Sequence, residues 1–423
     1  MKKLNASIIT IGDELLIGQT IDTNSAFIAQ QFNKAGIWVR RRIAVGDVYE
    51  DIWKALDEET ELSEIVIVTG GLGPTADDIT KPLLCEYFGG KLVENEQVLK
   101  HIIYLFEEVY RRPGPLLERN RKQAEVPDCC TVLMNERGTA PGMWFTKQIK
   151  GSERVIVSLP GVPFEMKALV EKQVLPRLLE KFTTGVIIHQ TLLTAGIGES
   201  MLAEKIKDWE EALPGHIKLA YLPHYGMVRL RLTSTGDNKD ELEKEIEKQF
   251  AQLKERVKEW LVIDEDLTLP QTIAKLLKER KQTVGTAESC TGGYIAHLLS
   301  RDPGSSSNFK GSIVSYDNQV KVDLLGVKQE ILDTVGAVSE ETVTQMAKGA
   351  LAQLKTDFVV ATSGIMGPDG GSEHKPVGLV WVAIASKNGV IARKFNFRFD
   401  RTRNIEQTTI SALDLLRKEI LRD

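Results

Sequence analysis

Ala287-Glu288-Ser289-Cys290-Thr291-Gly292-Gly293 joins a short apolar run to a segment with apolar residues at Ile295, Leu298 and Leu299. A hydroxyl at such a strand-to-helix junction is exposed as a nucleophile must be, beside helix N–H groups that can stabilise an oxyanion. Ser289 is the candidate nucleophile; the competing reading makes Ser289 or Thr291 a plain helix cap. A serine needs a base. His297 and His374 have no acid partner in sequence, whereas Lys321, in Ser315-Tyr316-Asp317-Asn318-Gln319-Val320-Lys321, follows the next strand. A desolvated lysine can accept a proton. Cys290 offers a thiol but lacks a nearby histidine.

A second constellation is Thr69-Gly70-Gly71-Leu72-Gly73-Pro74-Thr75-Ala76-Asp77-Asp78, directly after the apolar run 65–68. Glycines at the end of a buried strand let backbone N–H groups approach a phosphate, and a following helix start adds its positive dipole end. A Gly-rich turn without a ligand is the alternative. Asp77 and Asp78, with Asp47 in a turn after another strand, are oxygen ligands suited to a hard cation. Asp13 and Glu14, after the first strand, are either ligand groups or, for Asp13, a helix cap.

The elements that must carry these residues follow from hydrophobic periodicity. Short apolar runs at 6–10, 38–45, 65–69 and 154–158 alternate with helix-period segments at 24–35, 51–61 and 165–180, which predicts a parallel sheet covered by helices. Ligands then bind at the carboxyl ends of the strands, where both constellations fall. Residues 185–263 read as a small α+β module, with strands at 190–195, 218–222 and 227–233 and a charged helix at 239–260. Residues 264–423 read again as α/β, with strands at 283–287, 312–316 and 358–362 and two adjacent strands at 377–385 and 390–399. The fold class is therefore α/β: two unrelated domains with covered sheets, 1–184 and 264–423, joined by the small module.

The chain has 423 residues, 54 Lys and Arg against 59 Asp and Glu, six His and four Cys. A net charge of -5 gives no global reason to bind nucleic acid or an anionic membrane. No apolar run reaches the length of a membrane span, and the N-terminal stretch turns acidic too soon for a signal peptide, so a cytoplasmic protein is expected. Cys85, Cys129, Cys130 and Cys290 lack paired metal-site spacing and are expected as reduced thiols.

Several of these motifs also carry a resemblance. The stretches 12–18, 22–24, 69–80, 135–142 and 159–163 resemble the N-terminal domain of the CinA (competence/damage-inducible) family, which is similar to molybdopterin-binding domains. In that family the domain is associated with metal-dependent hydrolysis of ADP-ribose. The match implies that Gly70, Gly71, Gly73 and Thr75 face the phosphates, and that Asp47, Asp77 and Asp78 handle a divalent metal (Mg, Mn or Co). The stretches 288–293, 316–321, 325–327, 336–339, 364–368 and 376–378 resemble the C-terminal CinA domain, a nicotinamide-nucleotide amidase with a Ser-Lys dyad that needs no cofactor.

That resemblance implies attack by Ser289 on the carboxamide of nicotinamide mononucleotide (NMN), proton transfer by Lys321 and orientation by Tyr316. It further implies an oxyanion site from the N–H groups of Cys290, Thr291, Gly292 and Gly293; Ser363 and Gly364, at the end of the 358–362 strand, are candidates for substrate contact, and Arg403 is either a phosphate clamp or a surface salt-bridge residue. Met366 and Asp369 depart from the family's usual residues at these positions, and they either reshape the pocket for a related nucleotide or leave it unchanged. The middle module resembles a KH-type fold without the Gly-x-x-Gly loop that grips RNA, so the partners implied are NMN and ADP-ribose, with a homodimer and neither nucleic acid nor membrane. The other reading is a nucleotide- or molybdopterin-binding protein without turnover, acting in competence or damage response.

Overall fold

The computed structural model describes residues 4–423 apart from Ala76, Pro113 and Tyr225; Ala76 belongs to the Gly-rich stretch singled out above. The chain separates into two compact units, one formed by the residues up to Ile188 with Ser234–Glu243, the other by His189–Thr233 with Lys244–Asp423.

The first unit begins β1 (Asn5–Ile11), α1 (Asp13–Leu16), α2 (Thr23–Lys34), β2 (Trp38–Val45), α3 (Tyr49–Leu62), β3 (Ile65–Thr69) and α4 (Thr80–Tyr87). It continues β4 (Leu92–Glu94), α5 (Glu96–Tyr104), α6 (Glu118–Arg121), β5 (Glu125–Pro127), β6 (Thr131–Leu133), β7 (Gly142–Ile149), β8 (Ser152–Leu159), α7 (Pro163–Leu169) and α8 (Leu175–Lys181). Its main sheet runs β2-β1-β3-β8-β7-β6. The first four strands are parallel, but β7 and β6 are antiparallel, so the expected parallel sheet is a mixed one. The cause is local: Lys150 and Gly151, both at positive φ, form a tight turn that folds β8 back on β7.

β3 is buried throughout because its alternating side chains enter two cores. Ile65 and Ile67 pack with Phe32 and Met166 on one face, and Val66 and Val68 pack with Leu56 and Leu83 on the other. A strand clamped on both faces fixes the position of the Gly-rich loop that leaves its carboxyl end.

β9 (Val186–Ala195), α9 (Glu199–Glu211), β10 (Ile217–His224), β11 (Met227–Gly236), α10 (Lys239–Val257) and β12 (Leu261–Ile263) form the small α+β module, with strand order β10-β11-β9-β12. The last α/β region follows with α11 (Leu269–Arg280), β13 (Val284–Glu288), α12 (Tyr294–Ser300), β14 (Phe309–Val314), α13 (Asn318–Leu325) and α14 (Gln329–Thr334). It ends α15 (Glu340–Leu354), β15 (Phe358–Gly364), β16 (Leu379–Ser386), β17 (Gly389–Asn396) and α16 (Arg401–Arg422). Its sheet, β14-β13-β15-β16-β17, is parallel across β14, β13 and β15 and closes with an antiparallel hairpin. Val284, Phe358 and Val360 pack against α11 and α16, while Ala287, Val359 and Ala361 pack against α15. Among the described residues no helix is long and apolar enough to cross a membrane.

Candidate active site

In the second unit the turn after β13 is held from both sides. The Ser289 N–H donates to the Thr362 carbonyl of β15 at 3.0 Å, and the Ser315 N–H, just past β14, donates to the Glu288 carbonyl at 2.8 Å. Gly292 (φ 61°) and Gly293 (φ 94°) then reverse the chain into α12 through left-handed conformations that suit glycine.

The first turn of α12 is capped by neither Ser289 nor Thr291 through its own loop. The fully buried carboxylate of Glu288 does this work. Its Oε2 accepts from the N–H groups of Gly293 and Ile295 and from the Thr291 hydroxyl, and its Oε1 accepts from the Ala296 N–H and the Thr286 hydroxyl, at 2.7 to 3.1 Å. This corrects the expected oxyanion site. The Gly293 N–H is taken by Glu288 and the Gly292 N–H by the Ser289 carbonyl, so of the four expected donors only Cys290 and Thr291 keep N–H groups without a partner among the described residues.

The Cys290 side chain is buried, and that burial pushes its thiol up to about 12, which keeps it protonated at neutral pH. The Ser289 hydroxyl has no hydrogen-bond partner among the described residues and, unlike that of Ser315, is not sealed from solvent.

Lys321, on α13, is 1% exposed, an unusual burial for a lysine. Its Nζ donates to the carbonyls of Tyr316 at 3.1 Å and Asp317 at 3.5 Å. Burial lowers its pKa, with Asp317 and Cys290 acting in the opposite direction. Tyr316, whose carbonyl holds Lys321 Nζ, directly follows Ser315, whose N–H is bonded to the Glu288 carbonyl, so the amine is anchored next to the strand end that carries Ser289. Asp317 caps α13 by accepting from the Gln319 N–H, which sets the helix that brings Lys321 inward. His297 and His374 are both exposed.

Tyr316 is largely exposed, and its hydroxyl accepts from Arg401 Nη2 at 2.9 Å while Arg401 Nη1 donates to the Gly367 carbonyl at 2.8 Å. Arg403 instead lays its guanidinium over the Phe399 ring and remains exposed at the start of α16. The Ser363 hydroxyl is buried and donates to the Ala337 carbonyl at 2.6 Å, so it holds the 335–338 loop rather than facing a substrate. Gly364 has no room for a side chain, since a Cβ would lie 2.7 Å from Val380 Cγ2. Met366 packs into the core and Asp369 is exposed. An open cavity of about 480 Å³ extends from Thr291, Gly292 and Gly293 to Thr402 and Glu406.

Glu288 and Arg401 were not singled out in sequence. Glu288 had a signal, an acid at the end of a strand directly before a helix start. Arg401 follows the N-cap Asp400, and only the fold brings it to Tyr316.

In the first unit, Gly70 (φ 116°) and Gly71 (φ 63°) carry the chain out of β3 in conformations and spaces that exclude a side chain. A Cβ on Gly70 would lie 2.2 Å from the Ile11 carbonyl oxygen and one on Gly71 2.1 Å from Thr80 Oγ1. Asp78 closes the loop, accepting from the Gly73 N–H at 2.7 Å and from the N–H and hydroxyl of Thr75 at 2.9 and 2.5 Å. It is thus a loop staple rather than a free ligand, and the Thr75 hydroxyl is engaged by it. Asp47 and Asp13 exchange backbone-to-carboxylate hydrogen bonds at 3.1 and 3.2 Å. Burial raises the pKa of Asp47, and the charges of Asp13, Glu14 and Asp77 add to the rise.

Among the described residues no three His, Cys, Asp or Glu side chains are grouped to hold a metal by themselves. Asp47 and Asp77 carry the oxygen donors that a hard cation takes, with its remaining ligands then coming from phosphate oxygens and water.

Three family descriptions match the chain: "Probable molybdopterin binding domain" over residues 7–180, "Damage-inducible protein CinA KH domain" over 189–262 and "CinA C-terminal domain" over 266–420. A CinA-like protein of Flavobacterium psychrophilum is 47% identical over 99% of both chains. One of Chloroherpeton thalassium is 41% identical over 98% of both. Among solved structures, the competence/damage inducible protein CihA of Agrobacterium tumefaciens is 43% identical, covering 35% of this chain and 91% of its own, with a TM-score of 0.35. With family matches over all three regions and full-length relatives above 40% identity, the chain belongs to the CinA family.

Proposed function

We propose that the second unit hydrolyses the carboxamide of NMN to nicotinate mononucleotide and ammonia. The observation that carries this reading is Lys321: a lysine almost without solvent, its Nζ offered two carbonyl acceptors, beside the turn that presents Ser289. A neutral amine donates its two N–H bonds to those carbonyls and keeps a lone pair for the serine proton. Ser289 Oγ attacks the carboxamide carbon, and its proton ends on Lys321. The N–H groups of Cys290 and Thr291 hold the developing oxyanion. Lys321 then returns the proton to the amide nitrogen, the C–N bond breaks, ammonia leaves, and water hydrolyses the acyl-serine. Arg401 orients Tyr316 at the mouth, and the exposed Arg403 is the candidate clamp for the substrate phosphate.

We further propose that the first unit hydrolyses ADP-ribose to AMP and ribose 5-phosphate. The support is the Gly70-Gly71 turn, which leaves backbone open to a phosphate, next to Asp47 and Asp77. A divalent cation, when bound there, supplies charge neutralisation on the pyrophosphate. The family description over residues 7–180 favours a second reading for this unit, binding of a pterin; competition of molybdopterin against ADP-ribose decides between them.

The test of the amidase is ammonia release from NMN by the full chain and its Ser289→Ala and Lys321→Ala variants. Both variants are expected to lose turnover, and an inert wild-type chain would overturn the assignment.

A further inference from the structure

Two further loops of the first unit share the sheet edge of the Gly70-Gly71 turn. Thr69, the last residue of β3, stands opposite Leu159 of β8, Ser158 opposite Met143 of β7, and Gly142 opposite Leu133 of β6. The segments 134–141 and 160–164 therefore leave the sheet at the same end as the Gly-rich loop. The second of them touches it: the Gly70 N–H donates to the Leu159 carbonyl at 3.2 Å, and a Cβ on Gly161 would lie 3.4 Å from Gly70 Cα.

Together these loops present an aromatic ring. Val162, Pro163 and Phe164 are exposed in succession, Phe164 by 61%. Single exposed apolar residues are ordinary, but a run of three on the edge where ligands bind is a patch with a use. The Arg137 guanidinium lies over one face of the Phe164 ring, 4.2 Å from its centroid, and Nη1 donates to the Phe164 carbonyl at 3.3 Å. One face is thus backed by a cation, and the other is left for a ligand. Buried Asn135 locks the two loops together: its Nδ2 donates to Glu165 Oε2 at 2.6 Å and to the Ala140 carbonyl at 2.9 Å, while its Oδ1 accepts from the Arg137 N–H at 3.0 Å. A stack built in advance takes a ring with little further ordering. Phe164 follows Gly161 by three residues, a chain length of at most about 10 Å, which is the scale on which a sugar separates a base from its phosphate.

We propose that the Phe164 ring, backed by Arg137, is the platform on which the first unit stacks the fused heteroaromatic ring of its phosphate ligand, the adenine of ADP-ribose or a pterin. This rests on the reading of the Gly70-Gly71 turn as a phosphate site. Stacking acts through the π-face and needs no hydrogen-bond pattern, so a purine and a pterin share it. The experiment is titration calorimetry of the full chain in Mg²⁺ with AMP, neopterin phosphate and ribose 5-phosphate, on wild type, Phe164→Ala and Phe164→Trp. Phe164→Ala is expected to weaken the ring-bearing probe by about 10- to 100-fold, the usual worth of one stacked base, and to leave ribose 5-phosphate within about twofold. Phe164→Trp keeps a platform and should bind within about threefold of wild type. Both variants should melt like wild type, because Phe164 lies outside the core. Loss confined to AMP names the ring as a purine, and loss confined to neopterin phosphate names a pterin.

If Phe164→Ala binds every probe as wild type does, or loses ribose 5-phosphate as much as the ring-bearing probes, the platform falls and the phosphate site stands. A Phe164→Ala chain that sediments as a smaller species than wild type would make the patch a contact between copies of the chain, which also overturns the platform. A wild-type chain that binds none of the three probes sinks the phosphate reading itself and takes the platform with it.

Discussion

Replacing Glu288 by Gln tests whether a buried acid, rather than the loop itself, fixes the nucleophile. The side chain accepts five hydrogen bonds, three of them from backbone N–H groups that cannot reverse their polarity. The two hydroxyl donors, Thr286 and Thr291, can turn to accept instead. A glutamine that puts its NH₂ where Oε1 now stands must face the Ala296 N–H donor to donor; the opposite orientation faces the N–H groups of both Gly293 and Ile295. The first is the cheaper. It loses one hydrogen bond to a charged group and orphans a buried N–H, about 1.5–3 kcal/mol. Removing the negative charge from the start of α12 costs about 0.3–1 kcal/mol more.

The expected destabilisation is therefore roughly 2–4 kcal/mol, which in a unit of this size lowers its melting transition by roughly 5–15 °C. Scanning calorimetry of the full chain reads this, with Leu416→Ala marking which transition belongs to the second unit, since Leu416 is fully buried in that core. Ammonia release at a temperature where both proteins are folded should fall at least about tenfold, because Ser289 is the next residue and must hold its angle to the substrate. A shift below about 2 °C with unchanged kcat would refute the reasoning.

Further outcomes are expected at Lys321, at Cys290 and in the first unit. Lys321 has its pKa lowered mainly by burial, so between that lowered value and the unfolded value near 10.4 the unfolded chain binds a proton that the folded chain does not, and stability rises with pH. The same deprotonation creates the base, so kcat/KM for NMN should rise with pH; a profile flat from about pH 6 to 10 would count against it. Lys321→Met should abolish turnover and raise the melting temperature at pH 7. Cys290→Ala should retain amidase activity within about fivefold, because a thiol pushed up to about 12 by burial is not an ionised nucleophile; a loss of about 10²-fold or more would move the chemistry to sulfur. In the first unit, Gly71→Ala would force a Cβ to 2.1 Å from Thr80 Oγ1 at φ 63°, and it should abolish ADP-ribose hydrolysis while leaving ammonia release intact. Chelation of divalent metal should separate the two activities in the same way, and loss of both together would contradict independent sites.

The two α/β regions and the turns that carry Ser289 and Gly70 were legible because those turns leave strands buried on both faces, and the small module was legible from alternation such as that of 227–233, patterns that survive without tertiary context. The antiparallel β7 was not legible as such, since a two-residue turn at Lys150-Gly151 outweighs any regional alternation of strand and helix. Residue types at the sites were legible, but their engagements were not. Asp78 and Ser363 read as ligands because their types suit ligands, yet each is satisfied by backbone that reaches it only after folding, the loop at Gly73 and Thr75 for one and Ala337 for the other. Glu288 was passed over for the opposite reason: an acid in a motif draws attention as chemistry or as surface, seldom as a helix cap delivered from the preceding strand.

Glu288 and Lys321 together divide scaffold from chemistry. Both are ionisable and almost fully buried, and both flank the same serine turn. Five donors occupy the carboxyl oxygens of Glu288, so it has no lone pair free for a travelling proton and its role is to hold angles. Lys321 is met by only two acceptors, enough for a neutral amine and one short for an ammonium. A fully satisfied charge cannot exchange its proton without breaking its surroundings, whereas an amine left one partner short can take a proton only if a hydroxyl comes to it. The hydroxyl of Ser289, which has no hydrogen-bond partner among the described residues and reaches solvent, is the group at that turn free to come to it.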